Sequence, residues 1–245
     1  MDRVKECFIG TYAEAHEEGL LRFRFDPGTG ELISAGSVKG LTNPSFVTVH
    51  PELPVIYTLS KRPGAGPVKQ GAVLAYRLTD EQTMDVLNEQ PTVDGSPCHV
   101  SVDAAGRYLF AANYGGGNVC VYPLQEDGAI GERAQHIQHE GSSVNKKRQE
   151  KAHPHSAVVD PTDRFVIVPD LGMDEIIIYE IDASTQPLTE HRRIQTAPGA
   201  GPRHFKFHPN GKWAYVINEL DNTVTLYDYD DQAGNLVPRQ TVSTL

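Results

Sequence analysis

Around His208-Pro209-Asn210-Gly211 the chain alternates. Phe205 and Phe207 on one side, and Trp213, Tyr215 and Ile217 on the other, are apolar or aromatic at every second position. A period of two is that of a strand with one face buried. The four residues between carry turn chemistry, with a glycine free to take positive φ. The pattern predicts a β-hairpin. Arg203 and Glu219, on its two arms, then come out at the same open end. A guanidinium and a carboxylate far apart in sequence look into one space there, as a surface salt bridge at a sheet rim or as part of a site.

The hairpin pattern recurs. Pro44, Pro97, Pro154 and Pro202 stand 53, 57 and 48 residues apart. Each opens a predicted strand, at residues 45–49, 98–102, 155–159 and 203–207. A turn follows each, then a second strand at 55–57, 108–110, 165–167 and 213–215, and a third at 72–76, 118–122, 176–179 and 223–227. The first, third and fourth units continue clearly towards a fourth strand; the second does so less clearly. Residues 4–33 supply a partial unit, with runs at 4–12 and 19–25, a turn at 26–30 and a further strand starting at Glu31, but no strand opened by proline. A repeat of about fifty residues with four short strands is the signature of a propeller blade. A solenoid or two stacked sandwiches fit that regular unit less well. The expected fold is therefore all-β, a single β-propeller domain over residues 1–245. It has about five blades, one of them partial, in a ring that is incomplete at its C-terminal end, residues 240–245. Only residues 80–87 carry the pattern of a short helical turn, and residues 142–151 read as a polar loop.

Composition narrows the function. The chain has 245 residues, 39% of them hydrophobic, with 22 glycines and 17 prolines, so it is globular and rich in turns. No apolar run is long enough to span a bilayer, and the charged start at residues 1–7 lacks the apolar core of a signal peptide. A cytoplasmic location and no membrane partner are expected. Cys7, Cys98 and Cys120 form neither a disulfide framework nor a zinc spacing. The formal net charge of −10 argues against a nucleic-acid partner, and it requires any anionic substrate to find a locally positive site. The sequence leaves the oligomeric state open.

Candidate chemistry appears when the repeats are read as columns. The position after each proline holds Ser45, Cys98, His155 and Arg203; the next holds Phe46, His99, Ser156 and His204. Polar, titratable residues replace one another where packing would place apolar ones, which points to a site at the channel mouth. Sixteen residues after each proline come Ser60, Asn113, Asp170 and Asn218. Asn113 and Asp170 are candidates for substrate binding, with capping of the turn between strands two and three as the alternative. His50 and His208, in turns before proline, read as structural. His153-Pro154-His155 places two imidazoles where a strand would put them on one face, with Asp170 and Asp174 as further donors. Proline interrupts the strand and no third ligand has a characteristic spacing, so no metal and no other cofactor is expected. Cys98 has no base assigned to it. In the loop, Lys146 and Lys147 read as solvated, whereas Arg148 is expected to pack towards the mouth beside His153.

These residues resemble a known family. Pro154-His155-Ser156, Val168-Pro169-Asp170-Leu171-Gly172-Met173-Asp174, Gly199-Ala200-Gly201-Pro202-Arg203-His204 and Ile217-Asn218-Glu219-Leu220 look like the lactonase family of seven-bladed propellers. Its members include the bacterial propeller-type 6-phosphogluconolactonase and the fungal carboxy-cis,cis-muconate cyclase. Ile9-Gly10-Thr11-Tyr12 and Arg148-Gln149-Glu150 fit too. The resemblance implies metal-independent lactone chemistry at the channel mouth, with a phosphorylated sugar lactone of the pentose phosphate pathway as the leading substrate. By position, the family's site histidine falls on His155, its first arginine on Arg203 and its glutamate on Glu219. His153, Arg148, His204, Asn113 and Asp170 are the expected substrate-binding residues. A further arginine of the family's set lies in a blade beyond residue 245. From the residues alone, His155 or Glu219 is the base and Arg203 holds an oxyanion or a substrate anion. A muconate-type cyclase and a non-catalytic binding platform are the alternatives. A basic mouth favours the phosphorylated lactone and an acidic or apolar mouth the platform.

Overall fold

In a computed structural model describing residues 4–62, 70–79, 83–93, 96–182 and 186–245, every regular element is a strand. The first sheet holds β1 (Lys5–Gly10), β2 (Leu20–Asp26) and β3 (Glu31–Val38). The second holds β4 (Val47–Val49), β5 (Val55–Arg62), β6 (Gln70–Leu78) and β7 (Met84–Pro91). The third holds β8 (Pro97–Val102), β9 (Tyr108–Asn113), β10 (Asn118–Pro123) and β11 (Gln135–Gln138). The fourth holds β12 (Val158–Val159), β13 (Phe165–Asp170), β14 (Glu175–Ile181) and β15 (Leu188–Gln195). The fifth holds β16 (Pro202–Phe207), β17 (Trp213–Asn218), β18 (Thr223–Asp230) and β19 (Asn235–Ser243). Within each sheet the strands run in chain order and every pair is antiparallel. This is the meander of a propeller blade. Successive blades pack in order, β1 on β4, β5 on β8, β8 on β12 and β13 on β16. The all-β propeller expectation therefore holds, with one three-stranded and four four-stranded blades.

Each interface between blades has its own core. Leu20, Leu41, Ile56, Leu74 and Tyr76 fill the first, and Tyr57, Leu59, Val73, Leu109 and Tyr122 the second. Phe110, Val121, Val166, Ile177 and Tyr179 fill the third, and Phe165, Ile178, Phe205, Val216 and Tyr227 the fourth. Fully burying one such side chain contributes about 1.5–3 kcal/mol, so the blades are held by their neighbours rather than singly. Covered on both faces, β13 is buried at every position and reads as a continuous apolar run from Phe165 to Pro169 before it ends in Asp170. The fifth blade behaves otherwise. In β17, buried Ala214 and Val216 alternate with exposed Tyr215 and Ile217. The phase is the reverse of the one the sequence suggests: Tyr215 and Ile217 face outward and Trp213 is half-buried, so the alternating aromatic and apolar positions are not the buried face of this strand.

Two further local expectations need correction. Residues 84–87 form strand, not a helical turn, because Met84 and Val86 pair with Leu78 and Tyr76 of β6; residues 80–82 lie outside the described residues. Pro97 and Pro202 do open their strands, but Pro44 and Pro154 precede β4 and β12 by several residues. After Pro154 the chain also bonds sideways, to neighbouring blades. Ser156 Oγ donates to the Arg203 carbonyl at 3.1 Å, and the Ala157 N–H donates to His99 Nδ1 at 3.3 Å.

Candidate functional site

A proline at the head of the innermost strand has no N–H to give the ladder, and the register slips there. Pro97 pairs with Asn113 and His99 with Ala112; Pro202 pairs with Asn218 and His204 with Ile217. Cys98 and Arg203 are the extra residues of these irregularities. A bulge re-aims the side chain it carries, and both point into a cavity of about 590 Å³ at the mouth. In the fourth blade the Pro154–Asp170 bridge does the same for His155, whose N–H donates to the Pro169 carbonyl at 3.1 Å. Ser45, Cys98, His155 and Arg203, the column after the prolines, all line that cavity.

Glu219 sits between two guanidiniums. Arg203 Nε lies 2.7 Å from Oε2, off the line of its own N–H, so the contact is an ion pair without a formed hydrogen bond. Arg148 Nη2 donates to Oε1, and it reaches the Tyr114 hydroxyl at 3.5 Å. Those two contacts push the Arg148 pKa up further still. Lys61 joins them in the cavity wall, and Glu219 is the one carboxylate among the described residues lining it. The mouth therefore carries three fixed cations against one anion.

Aromatic rings fill the floor. The Tyr114 ring stacks on His153, with centroids 4.3 Å apart, and meets His155 edge-on at 5.5 Å. His155 and His204 lie 5.0 Å apart, and Phe46 packs on His99 at 4.2 Å and reaches His204 at 6.2 Å. Burial, then Arg203 and His204 beside it, holds the His155 pKa down to about 3. Burial, then the two neighbouring imidazoles, holds His99 down to about 3 as well. Burial followed by Arg203 lowers His204. These rings are uncharged near neutrality. Nδ1 of His155 is buried without a hydrogen-bond partner among the described residues. Burial pushes the Cys98 thiol up to about 12, so it is protonated and inert.

Of the eight expected site residues, five line the cavity: Arg148, His155, Arg203, His204 and Glu219. The other three lie behind it. His153 is buried, with Nδ1 on the Tyr114 carbonyl at 2.8 Å and Nε2 facing Glu150 at 3.2 Å. Asp170 is fully buried; Oδ1 accepts from the N–H groups of His153, Gly172 and Met173, and Oδ2 contacts His139 Nδ1 at 2.7 Å. Asn113 is fully buried and donates to Asn118 Oδ1 at 2.7 Å. Asp170 and Asn113 therefore hold the turns after β13 and β9 and do not line the cavity. The loop over residues 142–151 is irregular, as its sequence suggests, but well anchored. Asp174, 2% exposed, accepts from Ser143 Oγ at 2.6 Å, from the Gly199 N–H at 2.6 Å and from the Gly201 N–H at 2.7 Å. One carboxylate thus ties the loop that bears Arg148 to the segment that leads into Arg203. Gly172 lets that loop cross closely, since a Cβ there would sit 1.9 Å from the Lys151 carbonyl oxygen.

Tyr12, Asn43, Lys61 and Tyr114 also line the cavity, and the sequence reading did not single them out. A signal for two of them exists. Seventeen residues after the prolines come Lys61, Tyr114, Leu171 and Glu219, the column next to the one that was read. Successive strand residues face opposite ways: the column of Asn113 and Asp170 turns into the blade, and of the next one Lys61, Tyr114 and Glu219 line the cavity while Leu171 is fully buried.

Compared with known proteins, residues 6–245 match the family model described as Lactonase, 7-bladed beta-propeller. The chain is 37% identical over 240 residues to a 6-phosphogluconolactonase of Bacillus subtilis, covering 97% of this chain and 66% of that protein. It is 34% identical to a 6-phosphogluconolactonase of Serratia proteamaculans, covering 90% and 60%. The crystal structure of a periplasmic gluconolactonase of Pseudomonas aeruginosa superposes with a TM-score of 0.88 at 28% identity, covering 99% of this chain and 68% of that one. The chain thus spans less than two thirds of the length of the two curated relatives.

Proposed function

The chain belongs to the lactonase family of seven-bladed β-propellers, and from that premise we propose that its mouth opens a phosphorylated sugar lactone, 6-phosphogluconolactone, to 6-phosphogluconate. One observation carries the reading. In a protein of formal net charge −10, the cavity gathers Lys61, Arg148 and Arg203 against Glu219, around uncharged histidines. A cationic cleft draws in an anionic substrate that the rest of the surface repels. The same surplus of positive charge speaks against the acidic or apolar mouth of a bare binding platform. The names of the two curated relatives support the substrate.

The chemistry follows from the residues. Water adds to the lactone carbonyl carbon, the ring C–O bond breaks, and the ring oxygen leaves as a hydroxyl, giving a carboxylate and one released proton. Arg203 stabilises the oxyanion that forms on the carbonyl oxygen. His155 takes a proton from water and returns it to the departing ring oxygen. Glu219 holds the two guanidiniums in the cavity. The substrate's phosphate brings negative charge into the cavity, which offsets part of the arginines' field at His155 and raises its basicity in the complex, where the proton has to be taken. We place the reaction in the cytoplasm, as a step of the pentose phosphate pathway. Sugar phosphates are retained there, and Cys7, Cys98 and Cys120 are unpaired. Among the described residues, no helix is long and apolar enough to cross a membrane.

The depressed pKa of His155 makes a pH profile decisive. kcat/KM reports the free enzyme. With glucono-δ-lactone, which has no phosphate to titrate, kcat/KM is expected to show no histidine limb between about pH 5 and 8, because His155 stays neutral until about pH 3. An acid limb near 6.5, the ordinary histidine value, contradicts this assignment. Arg148→Ala is expected to raise KM for the phosphorylated lactone about two- to fivefold at low salt, the range of a solvent-exposed charge contact. An unchanged KM at low salt removes Arg148 from the substrate site.

A further inference from the structure

The cations of the mouth are not equivalent. Arg148 and Arg203 share Glu219. With the Asn43 amide assigned so that its oxygen faces the ammonium, Lys61 rests instead on a neutral acceptor at 2.9 Å, and the amide nitrogen donates to the Tyr12 carbonyl at 2.9 Å. Asn43 is held for this in a left-handed conformation, φ 50°. The Lys61 N–H donates to the Thr42 carbonyl at 2.8 Å, which fixes the end of β5 against the same segment. An ammonium has three donors, and one neutral partner among the described residues leaves donors for the cavity. Ser45 and Ser96 line the cavity too.

Position completes the argument. Lys61 stands in the second blade where Glu219 stands in the fifth, each seventeen residues after its proline. The rims of these two blades face each other across the axis, where Phe46 meets His204 at 6.2 Å. Lys61 and the Arg203–Glu219 pair are thus on opposed walls of one cavity. In a 6-phosphorylated sugar lactone, the phosphate is separated from the reacting carbonyl by the ring oxygen and the C5–C6 arm. With the carbonyl at Arg203 and His155, the phosphate extends towards another wall. Resting on the phosphorylated-lactone reading, we infer that Lys61, oriented by Asn43, is the phosphate subsite and sets the preference for phosphorylated over unphosphorylated lactones. A compact ammonium binds phosphate as a point charge.

The experiment is Lys61→Met and Lys61→Arg in the full chain, with kcat/KM measured for 6-phosphogluconolactone and glucono-δ-lactone, and with titration by 6-phosphogluconate and inorganic phosphate. For Lys61→Met, the ratio of kcat/KM for the phosphorylated over the plain lactone is expected to fall about ten- to a hundredfold, the worth of a hydrogen bond to a charged group. Affinity for 6-phosphogluconate should fall alongside, and Lys61→Arg should restore most of both. An unchanged ratio, or equal losses on the two lactones, overturns the subsite. A parent chain that opens neither lactone refutes the hydrolase reading instead. The titrations then decide the subsite alone: weaker phosphate and 6-phosphogluconate binding in Lys61→Met upholds it, and equal binding overturns it.

Discussion

Arg203→Ala should leave a folded protein that turns over 6-phosphogluconolactone about a hundred- to a thousandfold more slowly, the usual consequence of losing one donor to a developing oxyanion. Arg203 is the extra residue where β16 and β17 slip register, so its side chain leaves the sheet for the cavity and carries no ladder bond. Its ion pair with Glu219 is partly exposed, with side-chain exposures of 34% and 30%, and such pairs contribute at most about 1 kcal/mol to stability. Catalysis should therefore suffer far more than folding. Arg203→Lys should not rescue, because an ammonium cannot hold Glu219 and face the carbonyl with the geometry of a planar fork. If Arg203 were only a structural partner of Glu219, Tm would drop while kcat per folded molecule stayed at the parental value.

Asp174→Asn should have the second largest effect, on stability and turnover together. The carboxylate is buried and accepts from Ser143, Gly199 and Gly201. An amide keeps one acceptor oxygen and turns the other into a donor that faces a donor. The Ser143 hydroxyl can rotate to accept; the glycine N–H groups cannot. Leaving one of them unsatisfied costs about 1–3 kcal/mol. Asparagine is the informative replacement because Asp174 sits at φ 55°, a conformation that asparagine tolerates and alanine does not. Since Asp174 joins the loop of Arg148 to the segment before Arg203, kcat/KM for the phosphorylated lactone should also fall by about tenfold or more, as small misplacements of catalytic groups do. Loss of stability with kcat/KM unchanged would confine Asp174 to the scaffold.

Much of the fold is legible in the sequence because blades are local. Alternation, turn residues and a recurrent proline all lie within about fifty residues of one another, and the order of strands in every sheet is the order of the chain. His155 and Arg203 stand out for a related reason: a column that packing would fill with apolar side chains holds titratable ones. Other features fail to show because they depend on direction or on distant partners. Asn113 and Asp170 were placed one residue out of phase with the cavity, and with a period of two that turns a wall residue into a buried cap. Residues 84–87 resemble a helical turn until β6 offers them a ladder. No local pattern shows that Asp174 bridges two loops, or that Asn43 takes a left-handed backbone to seat Lys61. The neutrality of His155 arises from burial and from Arg203, which is 48 residues away in the chain.

The central claim is that this mouth opens a lactone. Its most direct test is the initial rate of 6-phosphogluconate formation from 6-phosphogluconolactone, measured against spontaneous opening in buffer for the unaltered chain and for His155→Ala. The expected result is saturable acceleration by the unaltered chain and a loss of about a hundred- to ten-thousandfold in His155→Ala, the contribution of a general base. Equal acceleration by both folded proteins, or none above buffer by the unaltered chain, would contradict it.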